Sequence, residues 1–179
     1  MKRAGTYTPD SPKEIRAEEW LVLRRQWADH IRQPNLAGKR TREAIAPNFD
    51  DGMDRSVGFL SFRITQLLTG HECFGSYLHR IGKEETPICR HCNLAPDTAE
   101  HTLSECNSWN LERRELTAAV GQDLSLASVV SSMCNSRAAW NAFATFAERV
   151  MSRKEDDERR RQQGLLNQLI VDGTVPEDP

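Results

Sequence analysis

A short segment that holds three of the five cysteines constrains the fold of this chain more than any other feature. It reads CRHCNLAPDTAEHTLSEC from Cys89 to Cys106, with Cys92 completing a C-x-x-C pair and His101 five residues before the last cysteine. Two thiolates from one tight turn can meet the same ion, and a histidine and a cysteine about one helical turn apart supply two more ligands. Four nitrogen and sulfur ligands are typical of a closed, tetrahedral structural zinc site. We therefore predict a CCHC zinc knuckle in which Cys89, Cys92, His101 and Cys106 bind Zn²⁺.

The residues just before His101 predict the start of a short helix. Asp97 and Glu100 have the spacing of a capping box, in which an N-cap side chain and a carboxylate three residues later satisfy the first free amides of the helix. Pro96 suits the loop between the two ligand pairs. His91 lies inside the C-x-x-C turn, and we expect its ring to point away from the ion.

The rest of the chain is predicted to form helices joined by turns, because apolar residues recur every three or four positions and no strand-like alternation is sustained. The first helix carries one apolar stripe made of Trp20, Leu23, Trp27 and Ile31. The predicted helices run from Pro12 to Pro34, from Asp54 to Thr69 with Gly70 as its cap, over 74–81, from Leu111 to Val120, from Leu124 to Met133, and onward from Ser136. The predicted fold class is mainly α, a helical domain organised around a small CCHC zinc knuckle, with flexible ends.

Five parts are predicted along the chain. They are a flexible N-terminal segment (1–13), a helical region with a basic loop (14–86), the zinc knuckle (87–109), the C-terminal helices (110–155), and a charged helix extension and tail (156–179). The basic loop lies between Asn35 and Gly52. The run beyond Met151 is charged all round, so we expect a solvated or frayed helix there and a tail from Gly164.

The net charge of −2 conceals an asymmetry along the chain. Residues 1–48 carry ten Lys or Arg and six Asp or Glu, a net charge of +4, whereas residues 49–110 have a net charge of −4. Any electrostatic grip on RNA or DNA should therefore lie mainly in the N-terminal arm. The candidate nucleic-acid contacts are Arg24, Arg25, Arg32, Lys39, Arg40, Arg42, Arg90, Arg113 and Arg114. A solvated helix face is the alternative interpretation of these residues.

Two adjoining segments carry a family resemblance. ITQLLTGHECFGSYLHRIG, followed by TPICRHCNLAPDTAEHTLSECNSW, resembles the region just downstream of the reverse transcriptase in insect-type non-long-terminal-repeat retrotransposons. That family has TQ-LTGHG-F-YL-RI before its C-x-x-C pair, then D-T-x-E-H and a final cysteine; this chain has Glu72 where the family often has glycine. The resemblance covers most of residues 15–161 and implies a C-terminal module of an element-encoded polyprotein. Such a module helps to hold template RNA or target DNA during target-primed reverse transcription, with the rest of the polyprotein as its partner.

Enzymatic activity of the chain itself is not expected. The segment NFDDG is the nearest approach to the paired carboxylates that a reverse transcriptase uses for two metal ions, and an acidic loop explains it better. Zinc deaminases combine H-x-E with P-C-x-x-C around an open zinc position, whereas here Glu72 follows His71 directly and four ligands fill the site. A host-retained fragment that acts as a protein-interaction module with a purely structural zinc is the alternative function.

The cysteine count bears on the compartment. Five cysteines cannot all pair, and the sequence shows no signal peptide or long apolar run. These features favour a reducing, intracellular setting, nuclear and cytoplasmic, with no membrane partner.

Overall fold

The computed structural model describes residues 12–56 and 58–171, and the side chains of 14–56 and 58–164. This part of the chain forms α1 (Pro12–Arg32), α2 (Lys39–Ile45), α3 (Phe49–Asp54), α4 (Phe62–Thr69), α5 (Gly75–Arg80), α6 (Asn110–Val120), α7 (Leu126–Asn135) and α8 (Arg137–Val171). A π-helical turn covers His101–Glu105, and 3-10 turns cover Ala46–Asn48 and Asn107–Trp109. The described residues contain no strand beyond one isolated bridge between Ile88 and Pro96. The mainly α fold class is confirmed.

Helix α8 forms the centre of the core and packs against α4, α6 and α7. Trp140, Phe143, Phe146 and Val150 are buried on one side of it, as their spacing of three and four residues predicts. Burying side chains of this size contributes roughly 2–3 kcal/mol each relative to leaving them exposed. Gly70 and Gly121, both at positive φ, end α4 and α6 as predicted.

The second half of α8 differs from the prediction of an all-round charged helix followed by a tail. The helix continues past Gly164 to Val171, and Lys154 in the charged run is only 2% exposed. Lys154 lies four residues after Val150, so it continues the buried stripe of the helix. The predicted flexible segment 1–13 falls largely, and residues 172–179 of the tail fall wholly, outside the described residues. The other domain boundaries stay predictions.

The predicted helix from Asp54 to Thr69 is wrong, because the chain leaves the helical conformation between α3 and α4. Gly58 has φ 86°, and its backbone lies directly against the Trp140 ring. A continuous helix cannot include that conformation. Helix α4 then starts afresh at Ser61, whose hydroxyl accepts a hydrogen bond from the Ile64 amide at 3.2 Å.

The predicted loop from Asn35 to Gly52 is also wrong, because α2 and α3 lie within it. Two of its few apolar residues, Ala44 and Phe49, are buried and give these short helices a face to pack. Arg42 donates hydrogen bonds to the carbonyl of Ile31 at 2.8 Å and that of Ala37 at 2.9 Å, which ties the connection after α1 to α2. Long-range packing therefore stabilises helices too short to be stable alone.

Helix α1 packs against α2 and the turn at Ala46–Asn48, but most of its surface is exposed. Only Arg24, Ala28 and Ile31 are half-buried among its described side chains, whereas Trp20 and Trp27 are 47% and 55% exposed. The apolar stripe of α1 therefore lies largely at the surface. None of the described helices combines the length and the apolar character that a bilayer crossing requires.

Candidate metal centre

The structure brings together the four residues predicted to bind zinc. Their ligand atoms, three sulfurs and one imidazole nitrogen, all lie within 4.8 Å of one another. The Cys89 and Cys106 sulfurs are 3.9 Å apart, and the Cys92 sulfur is 3.2 Å from Nε2 of His101. Two sulfurs bound at about 2.3 Å to one tetrahedral ion would be roughly 3.8 Å apart. The cluster therefore has the donor set of a zinc site, and its four ligand atoms are close enough together to hold one metal ion.

The first ligand pair is set by a tight loop. The Asn93 amide donates to the Cys89 carbonyl at 2.7 Å, and the Cys89 amide donates to the Ala95 carbonyl at 2.8 Å. Asn93 has φ 58°, in the left-handed region that asparagine tolerates better than most residues. This turn directs the side chains of Cys89 and Cys92 toward the same point.

The second ligand pair depends on the π-helical turn. In an α-helix, residues five apart point about 140° away from each other around the axis. Here the Cys106 amide donates to the His101 carbonyl at 2.7 Å, the wider hydrogen bond of a π turn, which brings the two side chains closer to one face. The turn thus explains how a five-residue spacing supplies both ligands.

The predicted capping box does not form as expected. Thr98, rather than Asp97, caps the turn, because its hydroxyl accepts a hydrogen bond from the His101 amide at 3.0 Å. The Glu100 carboxylate lies instead 3.5 Å from the Arg40 guanidinium. The Asp97 carboxylate is buried and accepts two hydrogen bonds from the Lys154 ammonium, at 2.7 and 2.8 Å.

The cluster thiols differ in their readiness to ionise. Burial raises the pKa of Cys89 to about 12. Burial also acts to raise the pKa of Cys92, but hydrogen bonds from the Leu94 amide, from His101 and from the other cluster thiols outweigh it and lower that pKa to about 7. Cys92 is therefore the more readily available thiolate of the pair near neutral pH, and a bound cation would favour ionisation of Cys89.

Groups around the cluster orient its ligands. Nδ1 of His101 lies 3.4 Å from a Glu105 carboxylate oxygen, which fixes the ring with Nε2 toward the sulfurs. The Arg113 guanidinium donates to the carbonyls of Leu103 at 2.9 Å and Cys106 at 2.8 Å, so it closes the end of the π turn.

His91 lies outside the cluster. Its ring packs against Trp109, with the ring centroids 4.7 Å apart, and burial lowers its pKa. This placement agrees with the expectation that His91 is not a ligand.

Five of the nine predicted nucleic-acid contacts are held by protein acceptors. Arg24 donates to the carboxylates of Asp50 at 2.8 Å and Asp54 at 2.7 Å, and Arg90 pairs with Glu84. The others are Arg40, which donates to the Leu68 carbonyl, and Arg42 and Arg113, described above. These five guanidiniums have structural partners that the sequence did not reveal.

The other four are exposed. Arg25, Arg32 and Arg114 make no side-chain hydrogen bond or ion pair with the described residues. Lys39 lies 3.8 Å from Glu43 at the surface, a contact too exposed to neutralise it firmly. Their role as nucleic-acid contacts stays a prediction.

Asp97 and Lys154 are the residues near the site that sequence reasoning missed. They lie 57 positions apart, and Asp97 fits a helix cap while Lys154 lies in a charged run. The available signal was the spacing of Lys154 from Phe143, Ala147 and Val150, which places it on the buried face of α8.

Comparison with known proteins relates the chain to a retrotransposon. Over 87 residues, 47% of this chain, it is 38% identical to the "Retrovirus-related Pol polyprotein from type-1 retrotransposable element R1" of Popillia japonica. The match spans 35% of that relative, so the chain corresponds to about a third of its length. No protein-family profile matches the chain, and no solved structure matches it. Over about half of its length, then, this chain is similar to a retrotransposon Pol polyprotein and carries a Cys3His cluster that could hold a metal ion.

Proposed function

We propose that this chain is a zinc-binding, nucleic-acid-binding module of a retrotransposon reverse transcriptase polyprotein. In this proposal it has no catalytic activity of its own and helps to position template RNA or target DNA for target-primed reverse transcription inside the cell, in nucleus and cytoplasm. The observation that carries the proposal is the convergence of three sulfurs and one imidazole in a chain similar to a Pol polyprotein. The remainder of such a polyprotein is its proposed partner.

Zinc is the metal that the donor set fits best. Thiolate and imidazole ligands suit zinc, and a site with four protein ligands leaves no position for substrate. Cys89, Cys92, His101 and Cys106 would hold the ion, which when bound cross-links the loop of the first pair to the π turn of the second. The role proposed for the metal is therefore structural.

The proposed nucleic-acid contacts are the cations that the protein leaves exposed. Arg25 and Arg32 lie on α1, Lys39 lies at the start of α2, and Arg114 lies on α6. Phosphate contacts release counterions, so binding through these residues should weaken as salt rises.

A salt-titrated binding experiment tests this part of the proposal. Fluorescence anisotropy is measured with labelled single-stranded RNA and duplex DNA for the wild type and for the variant Arg25→Gln/Arg32→Gln/Lys39→Gln. Each lost phosphate contact should reduce the slope of log K against log salt on duplex DNA by about 0.9. The control, Lys83→Gln/Arg137→Gln/Arg160→Gln, removes the same charge from exposed positions elsewhere. Equal losses in both variants, or none in either, would refute the assignment.

The exposed apolar surface favours a second candidate function, a host-retained fragment that binds protein. Trp27, Ile31, Leu60, Met133 and Trp140 line part of an apolar cavity of about 270 Å³ between α1 and the helical core. Phe59, directly before Leu60 in the sequence, and Phe62, two residues after it, are 81% and 65% exposed. Large exposed apolar side chains near an apolar cavity favour a protein-binding site. Zinc binding without any salt-dependent binding of RNA or DNA would favour this second function.

A further inference from the structure

Asp97 connects the metal cluster to the core helix α8. It lies in the loop between the two ligand pairs, five residues after Cys92 and four before His101. Its side chain is buried, and both carboxylate oxygens accept hydrogen bonds from the Lys154 ammonium, at 2.7 and 2.8 Å. The loop that carries the ligands is thus fixed to a helix that contributes no ligand.

Further hydrogen bonds hold the backbone and the carboxylate of Asp97 in place. Its amide donates to the Pro87 carbonyl at 2.7 Å, two residues before Cys89, and its carbonyl accepts from the Ser76 amide at 3.1 Å. The Gly75 amide donates to the carboxylate at 2.8 Å, and the Thr102 hydroxyl lies 3.4 Å from it, next to His101. Displacement of Asp97 would therefore move the backbone just before Cys89 and just before His101.

Lys154 has no alternative partner of equal strength in the described part of the chain. Its side chain is 1% exposed, and among the described residues its hydrogen bonds go only to Asp97. Its ammonium also makes a cation–π contact with Phe74, with Nζ 5.2 Å from the ring centroid. A buried charge without a partner is costly, so each member of the pair keeps the other in place.

We propose that Lys154 is a positioning residue for the metal cluster. By holding Asp97 it keeps the loop in the geometry in which the four ligand atoms converge, although it does not touch them. Coupling of this kind is reciprocal, so a metal bound at the cluster also holds α8 against the loop. This inference rests on the proposed zinc-binding function and names the residue through which α8 and the metal site affect each other.

Zinc affinity of the full chain tests the inference. It is measured by competition with a chromophoric chelator for the wild type, Lys154→Met and Arg159→Met. Lys154→Met should bind zinc more weakly than the wild type, by up to the 10- to 100-fold that follows loss of a partner bonded directly to a ligand. The control Arg159→Met removes a nearby charge of α8, whose ion pair with Asp156 is exposed on both sides, and should bind within about twofold of the wild type.

Hydrogen exchange on the wild-type chain provides a measurement that does not depend on a variant folding. Removal of zinc with a chelator should increase amide exchange in residues 150–158 as well as in 87–106. Unchanged exchange in 150–158, or unchanged zinc affinity in Lys154→Met, would refute the inference while leaving the proposed function intact. A wild-type chain that binds no zinc would refute both, and that result is visible in the wild-type measurement alone.

Discussion

Substituting Gly58 with alanine should destabilise this protein through a contact that the sequence does not show. A Cβ built at Gly58 would lie 2.0 Å from Cε2 of Trp140 and 2.2 Å from Cδ2, well inside van der Waals distance. Trp140 is 5% exposed and lies under the Arg55 guanidinium, 4.6 Å from the ring centroid, so it has little room to move. The new methyl group must therefore displace either the segment that joins α3 to α4 or the indole ring of Trp140.

Two terms set the size of the effect. Gly58 has φ 86°, a conformation that costs a residue with a side chain about 1–2 kcal/mol. Forcing an extra carbon into a packed position adds typically about 1–3 kcal/mol. Gly58→Ala should thus lower the free energy of unfolding by about 2–5 kcal/mol, a large part of the stability of an ordinary domain.

Gly82→Ala separates the two terms. Gly82 also has positive φ, 73°, but a Cβ there meets nothing within 4 Å. Urea unfolding followed by tryptophan fluorescence should show a loss of about 1–2 kcal/mol for Gly82→Ala and a clearly larger loss for Gly58→Ala. Gly58→Ala should cost less in a Trp140→Leu background than in the wild type, because a smaller side chain leaves room for the methyl group. Equal losses in the two glycine variants would refute the close approach of Gly58 to Trp140.

Two further predictions follow from single residues. Glu72→Gly should stabilise the fold by about 0.5–1 kcal/mol in thermal or urea unfolding, because Glu72 has φ 73°, the left-handed region that favours glycine; a destabilised variant would contradict this reasoning. Cys73 should resist alkylation at pH 8.5 in the folded protein and react in urea, because burial raises its pKa to about 12. Since its folded pKa lies above the ordinary 9.0, the stability that Cys73 contributes should be complete below pH 9 and decline as the pH rises toward 12, so the loss of stability over that range should be smaller in Cys73→Ala.

Local patterns were enough to predict the features that depend on short stretches of chain. The four residues of the cluster lie within 18 positions, so their spacing alone indicated that they could meet at one point. The buried stripe of α8 follows directly from the spacing of Trp140, Phe143 and Phe146. Glycines at the ends of α4 and α6 end their helices for a local reason, because positive φ costs them little.

Contacts between distant residues account for what the sequence did not predict. The break before α4 depends on the approach of Gly58 to a tryptophan 82 positions later. The burial of Lys154 depends on a carboxylate 57 positions earlier, and the engagement of Arg24 depends on Asp50 and Asp54 of another helix. The spacing of a basic residue in the sequence does not show whether its side chain faces solvent, a carbonyl or a carboxylate. The partners of these side chains therefore could not be predicted.

Glu72 is a position at which this chain differs from the family that it resembles. The resembling retrotransposon family often has glycine at this position, and the backbone here adopts the conformation that glycine accepts most readily. The difference therefore marks a strained position on the surface of this chain rather than a change in the cluster.

Elemental analysis of the purified full chain shows whether the Cys3His cluster binds one zinc ion. Inductively coupled plasma mass spectrometry after exhaustive dialysis against metal-free buffer counts the metal that the protein retains. We expect one zinc per chain, and a much lower zinc content in Cys92→Ser, which removes one of the four converging ligands. A chain that is folded by circular dichroism but retains no stoichiometric metal would contradict it.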